Sequence, residues 1–435
     1  MPNIIFEKRD SSISVYTKFY LLLFVLLPII NQYMIGSLTA LQVYSLLSVV
    51  LWLVFDKNHK VSVRILFYIL YVIVISIIGF LIVYQGNVGR LVLRLASFSC
   101  LILNFYVVFP HYSLKDFIIK WYTRFVEIIT IILFVQYIIY LFSGRSFMLL
   151  LPHVTLNYNN GVNSSEYMSY VIGRISTGYY YRPCSIFIEP VFHSLYCIPY
   201  VVIRLFSTSN LKYKNIVSAL FVTLAMVLTT SSMAIFVCFV IWLMFVVRIS
   251  SMNNWGAVKS LLLVLPIVII GIVLVLSSSG VLTSFSIKMN SIQNITESSS
   301  FTWRVLRGWE CYKGIGPFQK IFGCGYGDVA NYLNYIKLRT IYDDNLTLID
   351  YMSGAFYMLC SIGVIGTSLM FSIIFPYLKK IRTDSTIRML LICLLLAFFS
   401  SAIFDSDKFF LYLGLIVCCS HADSIQDLNT DVSKV

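Results

Sequence analysis

The stretch ILFYILYVIVISIIGFLIVY, residues 65–84, contains no charged side chain. A helix rises about 1.5 Å per residue, so roughly 20 apolar residues reach across the hydrocarbon core of a bilayer. The rest of the chain is similar in character, because 59% of its 435 residues are hydrophobic and 12% are charged. A soluble domain could not bury that much apolar surface, so we expect lipid to surround most of the chain.

Comparable apolar runs on both sides of this stretch predict an all-α polytopic membrane protein with about twelve transmembrane helices and two long outer-face loops. The runs cover residues 19–36, 38–55, 65–84, 91–109, 125–142, 187–206, 215–231, 233–248, 260–278, 353–375, 388–404 and 409–420. The expected organisation is helices 1–5 in 1–142, a first long loop in 143–186, helices 6–9 in 187–278, a second long loop in 279–352, helices 10–12 in 353–420, and a tail in 421–435.

The formal net charge of +13 does not indicate a nucleic-acid-binding protein, because the basic residues stand between apolar runs. Short loops on one side hold most of them. Short loops on the other side hold Arg90 and Lys408, with Arg94 a turn inside a span. The positive-inside rule then predicts that both termini are cytoplasmic and that both long loops face outward.

The first long loop ends with tyrosines and arginines that suit a saccharide or an anion. Tyr180 and Tyr181 offer flat apolar faces with a hydroxyl, as sugar rings require, and the alternative is an interfacial aromatic belt. Arg174 and Arg182 are candidate binding residues for the same substrate.

Glu189 and His193 follow where this loop re-enters the membrane, four residues apart. A carboxylate at a membrane entry is costly unless it is paired, and Arg182 is a natural partner. Glu189 is therefore a candidate catalytic base. The alternative is a structural role, in which its negative charge interacts favourably with the dipole at the helix N-terminus. His193 is a candidate binding residue, with simple packing as the alternative.

The second long loop contains FTWRVLRGWECYKGI, residues 301–315, which has helical spacing. Arg304 and Arg307 should share one face of this helix and could hold phosphate oxygens, or merely anchor the helix in anionic lipid. Gly314, Gly316 and Pro317 should end the helix.

Further along the same loop, IFGCGYGD, residues 321–328, has three glycines at alternate positions, 323, 325 and 327, which allow close backbone approach or positive φ. Arg339 is a further candidate binding residue behind this turn. Asp343 and Asp344 lie at the predicted mouth of the next span and are candidate catalytic carboxylates. Adjacent carboxylates point in different directions and chelate poorly, so we expect no metal and no cofactor.

Several stretches together resemble the bacterial O-antigen polymerase (Wzy) and O-antigen ligase superfamily. They are RPCSIFIEPVFHS (182–194), LTTSSMAIF (228–236), SSFTWRVLRGWE (299–310), IFGCGYGD (321–328) and DDNLTLIDYMSGAFYMLCSIGVIG (343–366). The resemblance implies a metal-independent glycosyltransferase in a bacterial cytoplasmic (inner) membrane. Its substrate would be an oligosaccharide on undecaprenyl diphosphate, and a chain-length regulator protein is a candidate partner.

Ligases of this superfamily typically carry a histidine in the second long loop, and residues 279–352 contain none. This departure favours the polymerase branch, in which a growing glycan leaves its carrier and joins the sugar of an incoming unit. Arg182, Arg304 and Arg307 would then stabilise the leaving diphosphate, and Glu189 would accept the proton of the attacking hydroxyl. The alternatives are a ligase, or a flippase or polysaccharide transporter.

Overall fold

The computed structural model of the protein describes residues 15–36, 38–55, 61–83, 88–157, 162–176, 181–207, 213–251, 302–340, 351–378, 384–404 and 406–432. These ranges are predominantly helical. The helices are α1 (Val15–Ile30), α2 (Ala40–Phe55), α3 (Val63–Val83), α4 (Val88–Leu103), α5 (Phe109–Tyr112), α6 (Lys115–Ser143), α7 (Ser164–Ser176), α8 (Pro190–Phe206), α9 (Tyr213–Leu228), α10 (Ser232–Ser251), α11 (Arg307–Gly314), α12 (Pro317–Phe322), α13 (Val329–Tyr335), α14 (Gly354–Leu378), α15 (Ser385–Ser400) and α16 (Asp407–Val432). Two π-helical turns, Asn104–Val108 and Thr302–Leu306, lead into α5 and α11.

Within the described ranges, five helical segments are long and apolar enough to cross a membrane: Val63–Val83, Val88–Tyr112, Lys115–Ser143, Ser232–Ile249 and Gly354–Leu378. Shorter apolar helices accompany them at Val15–Ile30, Ala40–Val54, Pro190–Phe206, Tyr213–Leu228 and Ser385–Ser400. The described residues are thus helical, as predicted, and their long apolar helices are compatible with an all-α membrane protein. The count of twelve spans stays a prediction, and the run at 260–278 lies outside the described residues.

The first two apolar runs form a helical hairpin, as expected, but both helices stop short of the turn. Residues 31–39 leave the helix and form a two-stranded antiparallel hairpin, β1 (Met34–Ile35) with β2 (Leu38–Thr39). The predicted runs 19–36 and 38–55 therefore extended too far into this polar turn. Hydropathy averages over a window, so it cannot locate the residue at which backbone hydrogen bonding changes partner.

Helix α8 lies at the centre of the protein. Nearly every side chain from His193 to Phe206 is buried, and α6, α9, α10, α15 and α16 pack around it. Pro190 at its first turn and Glu189 at its N-cap mark where the chain turns from loop to helix. Because these helices all pack against α8, it fixes their positions relative to one another.

Helix α14 consists of two helical segments joined at Gly363, whose φ of 66° and ψ of −175° interrupt the helix. A break of this kind frees backbone carbonyls, which need new partners when no water is available. The N–H of Cys324 donates to the Cys360 carbonyl at 2.8 Å, and the N–H of Gly325 donates to the Ser361 carbonyl at 3.0 Å. Residues 323–328, here called the glycine turn, thus dock into the break.

We call the end of the helix bundle where α1 ends and α8 begins the loop end. The turn after α1 receives the first loop there: Gln32 Nε2 donates to the Ile186 carbonyl at 2.7 Å, and Asn157 Nδ2 donates to the Asn31 carbonyl at 3.1 Å. The second loop reaches the same end through the glycine turn. Both loop segments therefore meet over one set of helix ends.

Candidate functional site

A cavity of about 350 Å³ lies at the loop end, lined by the ends of α1, α2, α8 and α16, by one face of α4 and by the glycine turn. Its polar lining includes Asn31, Gln42, Arg94, Asn157, Asp407 and Lys408. Its aromatic lining comes from Phe98, Phe192, Tyr326 and Phe404. A concave site with apolar faces and a few fixed polar groups has the usual make-up of a small-ligand site.

Arg94 joins the glycine turn to helix α4. Its Nη1 donates to Asp328 Oδ1 at 2.8 Å and to the Tyr326 carbonyl at 3.3 Å. Gly327 has a φ of 73°, and a Cβ at this position would come within 2.5 Å of the Arg94 side chain. The close approach of Arg94 therefore requires glycine at position 327.

Asp407 and Lys408 form a buried ion pair at the start of α16. Lys408 Nζ lies 2.8 Å from Asp407 Oδ2 and 3.0 Å from Oδ1, and both side chains are more than nine-tenths buried. Asn31 Nδ2 donates to Asp407 Oδ1 at 2.7 Å. The Lys408 ammonium also lies 4.2 Å from the centre of the Phe192 ring, which is a favourable cation–π distance.

Two buried amides fix the cavity wall. Asn31 Oδ1 accepts from the N–H of Leu41 at 2.9 Å, so Asn31 connects the start of α2 to Asp407. Gln32 Oε1 accepts from the N–H of Ile188 at 2.9 Å. These side chains satisfy the backbone of a turn and of a loop, and they hold the ends of α1, α2 and α8 together.

Arg182, predicted from the first loop, contacts the turn between α9 and α10. Its Nε donates to the Thr229 carbonyl at 3.2 Å and to Thr230 Oγ1 at 3.0 Å. Thr230 has a φ of 52°, so this turn is held in a conformation that is unusual for threonine. Two of the stretches that carry the resemblance, RPCSIFIEPVFHS and LTTSSMAIF, are thereby in direct contact.

Glu189 is the N-cap residue of α8 and is partly buried. Its charge and that of Arg182 both act on Cys184. Burial of this thiol is the main cause that raises its pKa to about 12, Arg182 lowers the pKa and Glu189 raises it. Both charged groups therefore lie close enough to Cys184 to affect its thiol.

The other candidates of the first loop lie in different surroundings. Tyr181 is buried, and its hydroxyl donates to the Phe147 carbonyl at 2.9 Å. Burial raises the pKa of Tyr181, so its hydroxyl stays protonated and continues to donate. His193 is fully buried, 3.6 Å from Cys197 Sγ. Tyr180 and the side chain of Arg174 lie outside the described residues.

Arg304 and Arg307 share one helix face, as predicted, and both reach Tyr351. Arg304 Nε donates to the Tyr351 hydroxyl at 2.7 Å, and Arg307 Nη1 donates to the Tyr351 carbonyl at 3.1 Å. Arg304 is partly exposed, whereas Arg307 is fully buried. Arg304 Nη1 lies 3.5 Å from the Ser400 carbonyl, beside the segment 402–404 that lines the cavity.

The remaining candidates of the second loop are Arg339, Asp343 and Asp344. Arg339 is exposed beyond α13, and Asp343 and Asp344 lie outside the described residues. Among the residues that are described, no cluster of three or more His, Cys, Asp or Glu side chains could hold a metal ion.

Sequence reasoning did not select the charged groups that line the cavity. Arg94 and Lys408 entered only as basic residues in a charge count, Asp328, the partner of Arg94, entered as the end of a glycine-rich stretch, and Asp407 was not singled out. A usable signal was present, because a charged residue inside an apolar run, or at the start of one, is costly unless it is paired. The identity of each partner depends on the tertiary fold.

Comparison of the chain with protein-family models, with curated proteins and with solved structures found no match in any of the three.

Proposed function

We propose that the protein is a membrane glycosyltransferase that polymerises oligosaccharide repeat units carried on undecaprenyl diphosphate. The observation that carries the proposal is the cavity at the loop end, where both loop segments meet over one set of helix ends. Its amides, ion pairs and aromatic faces suit a polar ring at a membrane surface. The resemblance of the two loops to O-antigen polymerases supplies the reaction.

In this proposal the arginines stabilise the diphosphate as it leaves. Arg182 and Arg304 are partly exposed and donate to neutral oxygens of Thr230 and Tyr351, so their charge is available to a phosphate. Arg307 is buried behind them. It would act by fixing Tyr351, which in turn orients Arg304.

The attacking sugar hydroxyl must lose a proton. Glu189 is the proposed acceptor, because it is a partly buried carboxylate at the loop end whose charge, like that of Arg182, acts on Cys184, and Asp343 or Asp344 is the second choice. The outgoing pyrophosphate leaves on its lipid, and the new bond joins the growing glycan to the acceptor sugar. The proposed reaction needs no cofactor. A chain-length regulator protein remains a proposed partner.

A transporter of lipid-linked glycans is the second candidate. It is favoured by the buried Asp407–Lys408 pair, because ionisable groups within a membrane protein often mark a substrate path. Loss of a polymerase should leave single repeat units on the outer surface, whereas loss of a flippase should trap them inside.

The proposal is tested by profiling surface glycan on gels in a deletion strain that is complemented with variants. Arg182→Ala and Arg304→Ala should leave single repeat units, and Arg64→Ala, an exposed arginine at the opposite end of α3, should restore long chains. Glu189→Gln should behave as the arginine variants do, with the exposed Glu166→Gln as its control. Long chains of normal length in the deletion strain would contradict the proposed function.

A further inference from the structure

The two cations that line the cavity already have carboxylate partners. Arg94 is paired with Asp328 at 2.8 Å, and Lys408 is paired with Asp407 at 2.8 Å. Arg182 and Arg304, outside the cavity lining, instead donate to hydroxyl and carbonyl oxygens. Among the described residues, neither Arg182 nor Arg304 has a carboxylate in direct contact, whereas the charges of the cavity lining are paired and nearly cancel.

We propose that the cavity binds an uncharged sugar ring of the substrate, and that the anionic carrier stays outside it at Arg182 and Arg304. This inference rests on the proposed function. An anion that entered the cavity would have to compete with Asp328 for Arg94 or with Asp407 for Lys408. The displaced carboxylate would then be buried without a counter-charge, which is costly. A neutral ring can bind without breaking either ion pair.

The cavity has the size and the faces that a sugar ring needs. Its volume of about 350 Å³ is at the lower end of the range for small-ligand sites, which suits a monosaccharide or a disaccharide and not a polyprenyl chain. Phe192, Phe404 and Tyr326 offer aromatic surface to the C–H face of such a ring.

Lys408 is one donor of the cavity lining that can reach a ligand. An ammonium has three N–H donors, and the two oxygens of Asp407 take up at most two of them. Asn31 and Gln32 each use their amide oxygen and one amide N–H within the protein, where they hold helix ends together. Lys408 is therefore a specificity-determining residue, able to donate to a ring hydroxyl or to an N-acetyl carbonyl.

The test uses the purified full-length protein in lipid nanodiscs and saturation-transfer difference NMR, which detects weak contacts of sugar protons. The probes are neutral hexoses, N-acetylhexosamines and their disaccharides, with inorganic diphosphate as competitor. Ser97→Trp fills the cavity from α4, and Ala96→Trp places the same side chain on the exposed face of that helix. The double variant Asp407→Asn/Lys408→Met keeps the cavity neutral and removes the donor. Thermal unfolding identifies any variant that fails to fold.

We expect sugar signals in the unaltered protein and in Ala96→Trp, no signal in Ser97→Trp, and binding at least about tenfold weaker in the double variant. Inorganic diphosphate should leave the sugar signals unchanged. The inference is wrong if no probe sugar binds, if Ser97→Trp retains the signals, or if diphosphate displaces the sugars. Failure of the proposed function would be seen separately, as normal long chains in the deletion strain.

Discussion

Arg94 and Asp328 lie 2.8 Å apart, although 234 residues separate them along the chain. The pair joins helix α4 to the glycine turn, which itself docks into the break of α14. One guanidinium thus connects a transmembrane segment, the second loop and the cavity wall. The consequences can be measured residue by residue.

Replacing Arg94 should remove the contact that holds the glycine turn against α4. Arg94→Ala leaves the buried Asp328 carboxylate without its cation, at a cost on the order of 1.5–3 kcal/mol. Arg94→Lys keeps the charge but removes Nη1, the nitrogen that donates to both Asp328 and the Tyr326 carbonyl, so its cost should be intermediate. Thermal unfolding in detergent measures both. Equal stability of the two variants and the unaltered protein would show that the ion pair contributes nothing.

Gly79 of α3 is required by the contact with the glycine turn. A Cβ at this position would collide with the Cys324 carbonyl oxygen, which is backbone and cannot move alone. Gly79→Ala should therefore destabilise the protein by about 1–3 kcal/mol. Gly173→Ala is the control, because nothing lies within 4 Å of its Cβ position in helix α7, and it should be neutral or slightly stabilising. A neutral Gly79→Ala would contradict the packing described here.

Tyr351→Phe distinguishes the roles of Arg304 and Arg307, which both contact Tyr351. The substitution removes the hydroxyl that accepts from Arg304 and keeps the carbonyl that accepts from Arg307. We expect a folded protein with the glycan profile of Arg304→Ala. Arg307→Ala removes a fully buried side chain, so it should lower stability by about 2–5 kcal/mol. Thermal unfolding measures stability, and gels measure glycan length. Glycan chains of normal length in the Tyr351→Phe strain would show that Arg304 functions without the Tyr351 hydroxyl.

The Asp407–Lys408 pair should show strong coupling in a double-mutant cycle. Asp407→Asn or Lys408→Met alone leaves an uncompensated buried charge, which costs about 3–5 kcal/mol. The double variant removes both charges and should be less destabilised than the sum of the single variants. Unfolding free energies of the four proteins give the coupling energy. Additive single effects would mean that the two side chains do not interact.

Cys184 should resist alkylation in the folded protein. Burial raises the pKa of its thiol to about 12, so at pH 8 it is ionised on the order of a thousandfold less than a free cysteine of pKa about 8.5. The raised pKa contributes stability that is complete below about pH 8.5 and is lost as the pH rises towards 12. Peptide-level mass spectrometry after brief alkylation measures the labelling, with the denatured protein as control. Rapid labelling of native Cys184 at pH 8 would contradict its burial.

Local features were predictable where neighbouring residues decide them. The three alternate glycines of IFGCGYGD all adopt positive φ, at 96°, 106° and 73°, as their spacing suggested. In FTWRVLRGWECYKGI, residues 302–306 form a π-helical turn and 307–314 form an α-helix that ends at Gly314, with Pro317 starting the next helix. The break at Gly363 was missed, because a glycine within an apolar run leaves the hydropathy pattern unchanged.

In the candidate site, too, relationships between neighbouring residues were predictable and contacts between distant residues were not. Arg304 and Arg307 share a face because helical spacing alone sets that relationship, and Tyr351 could not be predicted as their common partner. The cavity could not be predicted, because its walls come from helices that are distant in sequence.

The sequence by itself determined that the chain is rich in apolar helices of the kind that membrane proteins use, and roughly where those helices lie. Those properties follow from composition, period and local backbone preference, which act over a few neighbouring residues. The tertiary structure decided that Arg94 pairs with Asp328, that Asn31 holds Asp407, and that a cavity forms between them. In an apolar interior a charge must find its partner wherever packing brings one, and packing depends on the whole chain.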